Sequence, residues 1–252
     1  VHVVVLAAGR GSRLGPQGDA LPKWLLEVGG RTLAARHLAG IAAARRAGDV
    51  AGVAVVVGHA GAAVEEDLAR RSDAVRVVRN PEYAERNNWW SLLRALRELP
   101  EEGPVVVLNA DLLVAPAHLA AFIGDAARGE ADGLLCVDTA RRLTDESMKV
   151  ALDAGGALAA IGKTGIADAA GEYIGILMAR AGVLRALRAR LEEFDGRPEA
   201  RDEWYEGAVG RSVGDGARWQ IWPMPDGGWI EIDDHADLAA ADDLAREVDA
   251  LP

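Results

Sequence analysis

The sequence predicts an α/β fold: a Rossmann-like, mixed but mainly parallel sheet with helices on both faces. Three observations predict it. Apolar runs of strand length alternate with segments of helical periodicity, as in a parallel sheet covered on both sides. The first run stops at a glycine-rich loop, and polar residues stand at the ends of several later runs. At 252 residues, half of them hydrophobic, the chain can bury a sizeable core.

Val3–Leu6 is a continuous apolar run and reads as a buried parallel strand ending at Ala7-Ala8-Gly9. A helix is expected over Thr32–Arg46, a strand over Val53–Val57, a helix over Ala62–Arg71 and a strand over Val75–Val78. Ser91–Leu99 reads as a helix, Val105–Asn109 as a strand and Ala117–Ala127 as a helix. The later half changes character. Met148–Leu152, Leu158–Ile161 and Glu172–Met178 read as shorter strands, with a turn at Asp153-Ala154-Gly155-Gly156. Helices follow over Ala181–Glu193 and Glu203–Arg211, then strands at Trp219–Trp222 and Trp229–Ile232 and a closing helix, His235–Val248. No internal repeat is visible. Arg197-Pro198-Glu199 is a loop rather than a linker, so a single domain over residues 1–252 is expected.

Composition narrows the partners. A net charge of −11 argues against nucleic acid and anionic membranes. No stretch reaches the roughly 18 apolar residues of a membrane span, and no signal-peptide pattern opens the chain. The sole cysteine, Cys136, lies in the apolar run Leu134–Val137, where packing is its expected role. It excludes an intrachain disulfide and fits a reducing cytoplasm. The histidines show no metal-ligand spacing.

The segment after the first strand carries glycines at 9, 11 and 15, together with Arg10 and Arg13, and Pro22-Lys23-Trp24-Leu25-Leu26 follows. Small residues admit a ligand close to the backbone, and successive amides form an anion nest. Cations beside such a nest suit a triphosphate. In an acidic protein that positive charge must be concentrated locally. A dinucleotide fingerprint does not fit, because Leu14 stands where its third glycine belongs, and a Gly-Lys-Ser/Thr phosphate loop is absent.

Asn109-Ala110-Asp111 ends an apolar strand, where a carboxylate can hold a hard cation or cap the next turn. Glu231 and Asp233 lie on one side of their strand by alternation, with Ile232 opposite. Two same-facing acids need a cation or solvent between them. Lys149 and Lys163 are candidate anion contacts or solvated surface groups. Trp204, Tyr205, Trp219, Trp222 and Trp229 crowd the last part of the chain, as core packing or as a cage for a cationic group beside Glu203 and Glu206.

Leu6-Ala7-Ala8-Gly9-x-Gly11-x-Arg13-Leu14 followed by Pro22-Lys23 resembles the nucleotidyltransferases that activate sugar phosphates, phosphocholine and phosphonates with an NTP. Within that family, Asn80-Pro81-Glu82-Tyr83-Ala84-Glu85-Arg86-Asn87-Asn88-Trp89-Trp90-Ser91-Leu92 is similar to a loop of bacterial choline-phosphate cytidylyltransferases. The block from Met148 to Ile176 is similar to cytidylyltransferase domains linked to phosphonates. The resemblance implies Mg²⁺ on Asp111 and Asp233, Arg13 and Lys23 as the catalytic cations, and a nucleotide held by Ala7, Ala8, Gly9, Gly11, Asn80, Asn88 and Ser91. It implies Lys149, Lys163, Glu172, Trp204, Tyr205 and Glu231 around the acceptor. The nucleotide-binding half is then about residues 1–130 and the acceptor-binding half about 131–252. The expected activity is transfer of CMP from CTP to a small anionic acceptor, phosphocholine-like or a phosphonate, in a cytoplasmic enzyme that leaves room for a homodimer. Two alternatives stay open: a hexose-1-phosphate nucleotidyltransferase using GTP, UTP or dTTP, and a non-catalytic regulatory subunit of the same fold.

Overall fold

The computed structural model describes residues 1–71, 74–100, 103–226 and 228–251. The first part of the chain contains β1 (His2–Ala7), α1 (Gly15–Ala20), β2 (Glu27–Val28), β3 (Arg31–Thr32), α2 (Leu33–Arg46), β4 (Gly52–Val57) and α3 (Gly61–Arg71). Next come β5 (Arg76–Arg79), α4 (Asn88–Glu98), β6 (Val105–Asn109), β7 (Leu112–Val114), α5 (Pro116–Arg128) and β8 (Gly133–Asp138). β9 (Lys149–Leu152), β10 (Leu158–Gly162), β11 (Gly171–Ala179), α6 (Ala181–Asp195), α7 (Tyr205–Val213), β12 (Gln220–Pro223), β13 (Trp229–Glu231) and α8 (His235–Ala250) complete it.

The central sheet runs β10-β9-β11-β6-β1-β4-β5, with β8 pairing β11 and β12. β6, β1, β4 and β5 are mutually parallel. β11 then turns the sheet antiparallel against β6, β8 and β9. Continuous apolar strands need cover on both faces, and alternation divides that cover. Val3 and Val5 pack in one layer with Leu38, Ile41 and Phe122, while Val4 and Leu6 pack in the other with Leu92, Leu96 and Leu187. Among the described residues, no helix is long and apolar enough to cross a membrane.

Several expectations shift. The segment after β1 is not simply a loop: a 3₁₀ turn over Ser12–Leu14 leads into α1. Pro16 sits in the first turn, where its fixed φ suits a helix start. Helix α4 begins at Asn88, capped by Asn87, whose side chain accepts from the Asn88 amide at 2.7 Å. Ser91 is therefore inside the helix and does not cap it. The run 134–137 forms β8, and Trp229–Glu231 leaves the main sheet to pair with β7.

Candidate active site

The C-terminal ends of β1 and β6 open onto a cleft of about 320 Å³. Its floor is made of carboxylates from two distant parts of the chain. Asp111 follows β6, and the β7–β13 pairing brings Glu231 and Asp233 beside it, with the Ile232 amide donating to the Asp111 carbonyl at 2.9 Å. Ile232 is fully buried, so its neighbours face the cleft. Oxygen atoms of Asp111, Glu231 and Asp233 lie within 4.8 Å of one another. Sequence alternation had already placed 231 and 233 together. Glu231, expected among the acceptor contacts, borders the cleft and stands beside the two aspartates.

Lys23 joins this cluster. Its Nζ donates to Asp111 at 3.0 Å and to Asp233 at 2.5 Å, and Arg13 reaches Asp233 at 3.2 Å. Burial alone would favour the neutral amine of Lys23, but the two aspartates hold it charged and raise its pKa above the ordinary lysine range. Burial likewise opposes ionisation of Asp233, yet Lys23 and Arg13 keep its carboxyl below the usual value. Lys23 acts on Glu231 as well, but more weakly than the groups that oppose its ionisation. Burial and the adjacent Asp111 and Asp233 raise its carboxyl above the usual carboxylate range. Three carboxyl groups converging on one spot give a set of oxygen ligands that a hard cation fits.

The loop geometry that delivers Lys23 is specific. Gly11 has φ +62°, and a Cβ there would come 3.0 Å from Lys23 Cγ. Ala8 and Gly9 border the cleft, whereas Ala7 is packed in the core on the other face. Below them, buried His37 accepts from Trp24 Nε1 at 3.0 Å through Nδ1 and donates to the Leu112 carbonyl at 2.7 Å through Nε2. Burial drops its pKa to about 4, so the imidazole is neutral. It ties the residue after Lys23 to the residue after Asp111. Sequence reading gave His37 no role; only the fold brings these segments together.

Of the residues expected to meet the nucleotide base, Ser91 and Asn88 border the cleft. Asn80 is buried and aimed at the protein: its Nδ2 donates to Ser91 Oγ at 2.9 Å and its Oδ1 accepts from the Glu82 amide at 3.0 Å. It borders a neighbouring cavity with Gly58 and Tyr83 and supports Ser91 from behind. Asn88 Oδ1 accepts from the Tyr205 amide at 2.9 Å, joining α4 to α7.

The residues expected around an acceptor are divided by the structure. Lys149 is turned inward, donating to the carbonyls of Ser147 at 3.3 Å and Lys163 at 2.8 Å. Lys163 borders the cleft, 3.0 Å from Glu146 and 5.1 Å above the Trp204 ring. Trp204 is 41% exposed at the rim. Tyr205 is fully buried behind it. Glu172 is half-buried away from the cleft, its carboxyl raised by that burial. Trp219, Trp222 and Trp229 spend their indole N–H groups on Ser212, Asp125 and Asp138 and form no cage. Glu203 pairs with Arg211. Glu206 alone of those acids reaches the cleft. It is buried, its Oε2 has no hydrogen-bond partner, and desolvation lifts its pKa to about 7. Asn109, part of the polar strand end the sequence marks but without a role there, also reaches the cleft, as do Tyr173 and Gly175.

Residues 3–204 match the MobA-like NTP transferase domain. A CMP-5'-(3-aminopropyl)phosphonate synthase from Streptomyces rubellomurinus is 32% identical over 96% of this chain and 38% of its own length. A 2-aminoethylphosphonate cytidylyltransferase from Lancefieldella rimae is 31% identical over 47% of this chain and 46% of its own. The chain thus spans less than half the length of these relatives. A CTP:phosphocholine cytidylyltransferase structure from Streptococcus pneumoniae superposes with a TM-score of 0.77 at 20% identity, covering 97% of this chain and 98% of that one, which shows a shared fold.

Proposed function

The chain belongs to the MobA-like NTP transferase domain family, and on that premise we propose that it joins CMP from CTP to a small phosphonate or phosphate acceptor. An acceptor oxyanion attacks the α-phosphorus, a new P–O bond forms, the bond to the bridging oxygen breaks and pyrophosphate leaves. No protein nucleophile is required, so the work is alignment and charge neutralisation.

The observation that carries this reading is Lys23 held between Asp111 and Asp233 at the end of the glycine loop. Lys23 neutralises charge growing on the α-phosphate, and Arg13 with the Gly9–Gly11 backbone holds the outer phosphates. Asp111, Asp233 and Glu231 would hold Mg²⁺, which supplies further positive charge to the phosphate and acceptor oxygens when bound. Ser91 accepts the Asn80 amide proton and can turn its own proton to a base carbonyl, and the Asn88 amide adds a second donor. Two donors suit the carbonyl and unprotonated ring nitrogen of cytosine. At the far end Lys163 offers countercharge to the acceptor's anion, while Glu206 and the Trp204 face suit an amine. The phosphonate-specific names of two relatives support such an acceptor.

The test is pyrophosphate release over CTP, UTP, GTP and dTTP with 2-aminoethylphosphonate, phosphocholine and hexose 1-phosphates. CTP with a small phosphonate or phosphocholine is expected to lead. Exclusive use of a hexose 1-phosphate with another NTP would replace this reading by the alternative transferase.

A further inference from the structure

Asn109, at the end of β6, is fixed from two sides. β11 runs antiparallel beside it, with Ile176 opposite Leu108, so Gly175 lies next to Asn109. Gly175 has φ +88°, and the β11–β8 register breaks between Tyr173 and Leu177. Such an irregularity in a strand interior re-aims neighbouring groups. Here it makes room: a Cβ at 175 would come 2.7 Å from Asn109 Nδ2 and 3.0 Å from its Cβ and Cγ.

The other side of the amide is fixed by a hydrogen-bond chain. Tyr205 donates its hydroxyl proton to Asn109 Oδ1 at 3.1 Å, and Tyr173 lies 2.9 Å from the Tyr205 oxygen. Each phenol has one proton. Since that of Tyr205 goes to Asn109, that of Tyr173 goes to Tyr205. Both rings are buried, which keeps the hydroxyls protonated. Asn109 lines the cleft, and with Oδ1 taken by Tyr205 its Nδ2 has no protein partner among the described residues. The carboxyl groups of Asp111, Glu206 and Glu231 line the same cleft.

We propose that Asn109 binds the acceptor, donating an Nδ2 proton to a non-attacking oxygen of its phosphonate or phosphate group. The Tyr173–Tyr205 chain and Gly175 are positioning residues for that amide. Lys149, turned away into backbone carbonyls, does not take this role. The proposal rests on the cytidylyl-transfer reading and adds the group that reads the acceptor's anionic head on the cleft floor.

The experiment measures KM for CTP and for whichever of 2-aminoethylphosphonate and phosphocholine the wild-type chain turns over. Asn109→Asp keeps shape and the Tyr205 hydrogen bond but replaces the donor by an acceptor. It is expected to raise the acceptor KM ~10–100-fold while the CTP KM stays within about twofold. Asn109→Ala is expected to give the same split without added charge, and Tyr205→Phe, which only loosens the amide, a smaller rise of ~3–10-fold. An unchanged acceptor KM in folded Asn109→Asp and Asn109→Ala overturns the proposal. Equal losses for both substrates, tracking a lowered Tm, overturn it in favour of a purely structural residue. Absence of pyrophosphate from the wild type on every NTP and acceptor pair is a different result and overturns the underlying transfer reading.

Discussion

Replacing Glu206 by Gln removes a charge at a site that disfavours one. The carboxyl is buried, Oε2 is unpartnered, and its pKa is pushed to about 7 from an ordinary 4.5. At about 1.4 kcal/mol per pH unit the difference corresponds to roughly 3 kcal/mol. The folded protein binds this proton more tightly than the unfolded chain does. Stability from the group is therefore intact below the ordinary carboxyl value and is lost as pH rises from there through about 7. Glutamine does not titrate, so Glu206→Gln should match the wild type near pH 4 and exceed it by up to roughly 3 kcal/mol at pH 8. For a chain of this size that is a Tm gain on the order of 5–10 °C. Thermal unfolding in one buffer series from pH 4 to 8 measures it. A difference that stays constant with pH, or a variant less stable than wild type at pH 8, would refute the assignment of Glu206 as a desolvated acid. The same variant should bind an amine-bearing acceptor less well, since the cleft loses its buried counter-charge.

Three further outcomes follow from the site. Asp111→Asn removes charge with little volume change, and turnover with Mg²⁺ is expected to fall at least ~100-fold in a folded protein; near-normal rates would remove Asp111 from the metal site. Added Mg²⁺ should raise the Tm of the chelator-treated wild type but not of Asp233→Asn or Glu231→Gln, because relief of carboxylate repulsion is what the ion contributes; equal shifts in all three would place the ion elsewhere. Trp24→Phe leaves His37 Nδ1 buried without a donor, and is expected to cost ~1–3 kcal/mol of stability and to lower kcat as Lys23 and Asp111 lose their common tie; unchanged unfolding and kcat would show that tie to be idle.

What could be read from the sequence was what local pattern controls. Val3–Leu6 and Val105–Asn109 are apolar enough to be buried strands wherever they pair, and a loop ending an interior strand must lie at the sheet's edge. Ile232 between Glu231 and Asp233 dictates that both acids share a face. Helix α1 was not legible, because Gly-Pro-Gln-Gly-Asp-Ala has no apolar period and packs by close backbone approach: a Cβ on Gly18 would clash with the Gly11 carbonyl oxygen. Lys149 and Lys163 look alike in sequence, yet one is bonded to backbone carbonyls and the other stands over Trp204. Trp204 and Tyr205 are adjacent, but the start of α7 turns one to the rim and the other into the core. Asn109 acquires its hydrogen-bond chain from residues 64 and 96 positions later, contacts no local pattern announces.

The central claim is transfer of a cytidylyl group to a phosphorus oxyanion. Phosphorus NMR of the purified chain with CTP, Mg²⁺ and either 2-aminoethylphosphonate or phosphocholine tests it most directly. The account predicts that the acceptor signal is replaced by that of a mixed anhydride with CMP while pyrophosphate appears in equal amount. An unchanged acceptor signal with both compounds, alongside a product from a hexose 1-phosphate and UTP, GTP or dTTP, would contradict it.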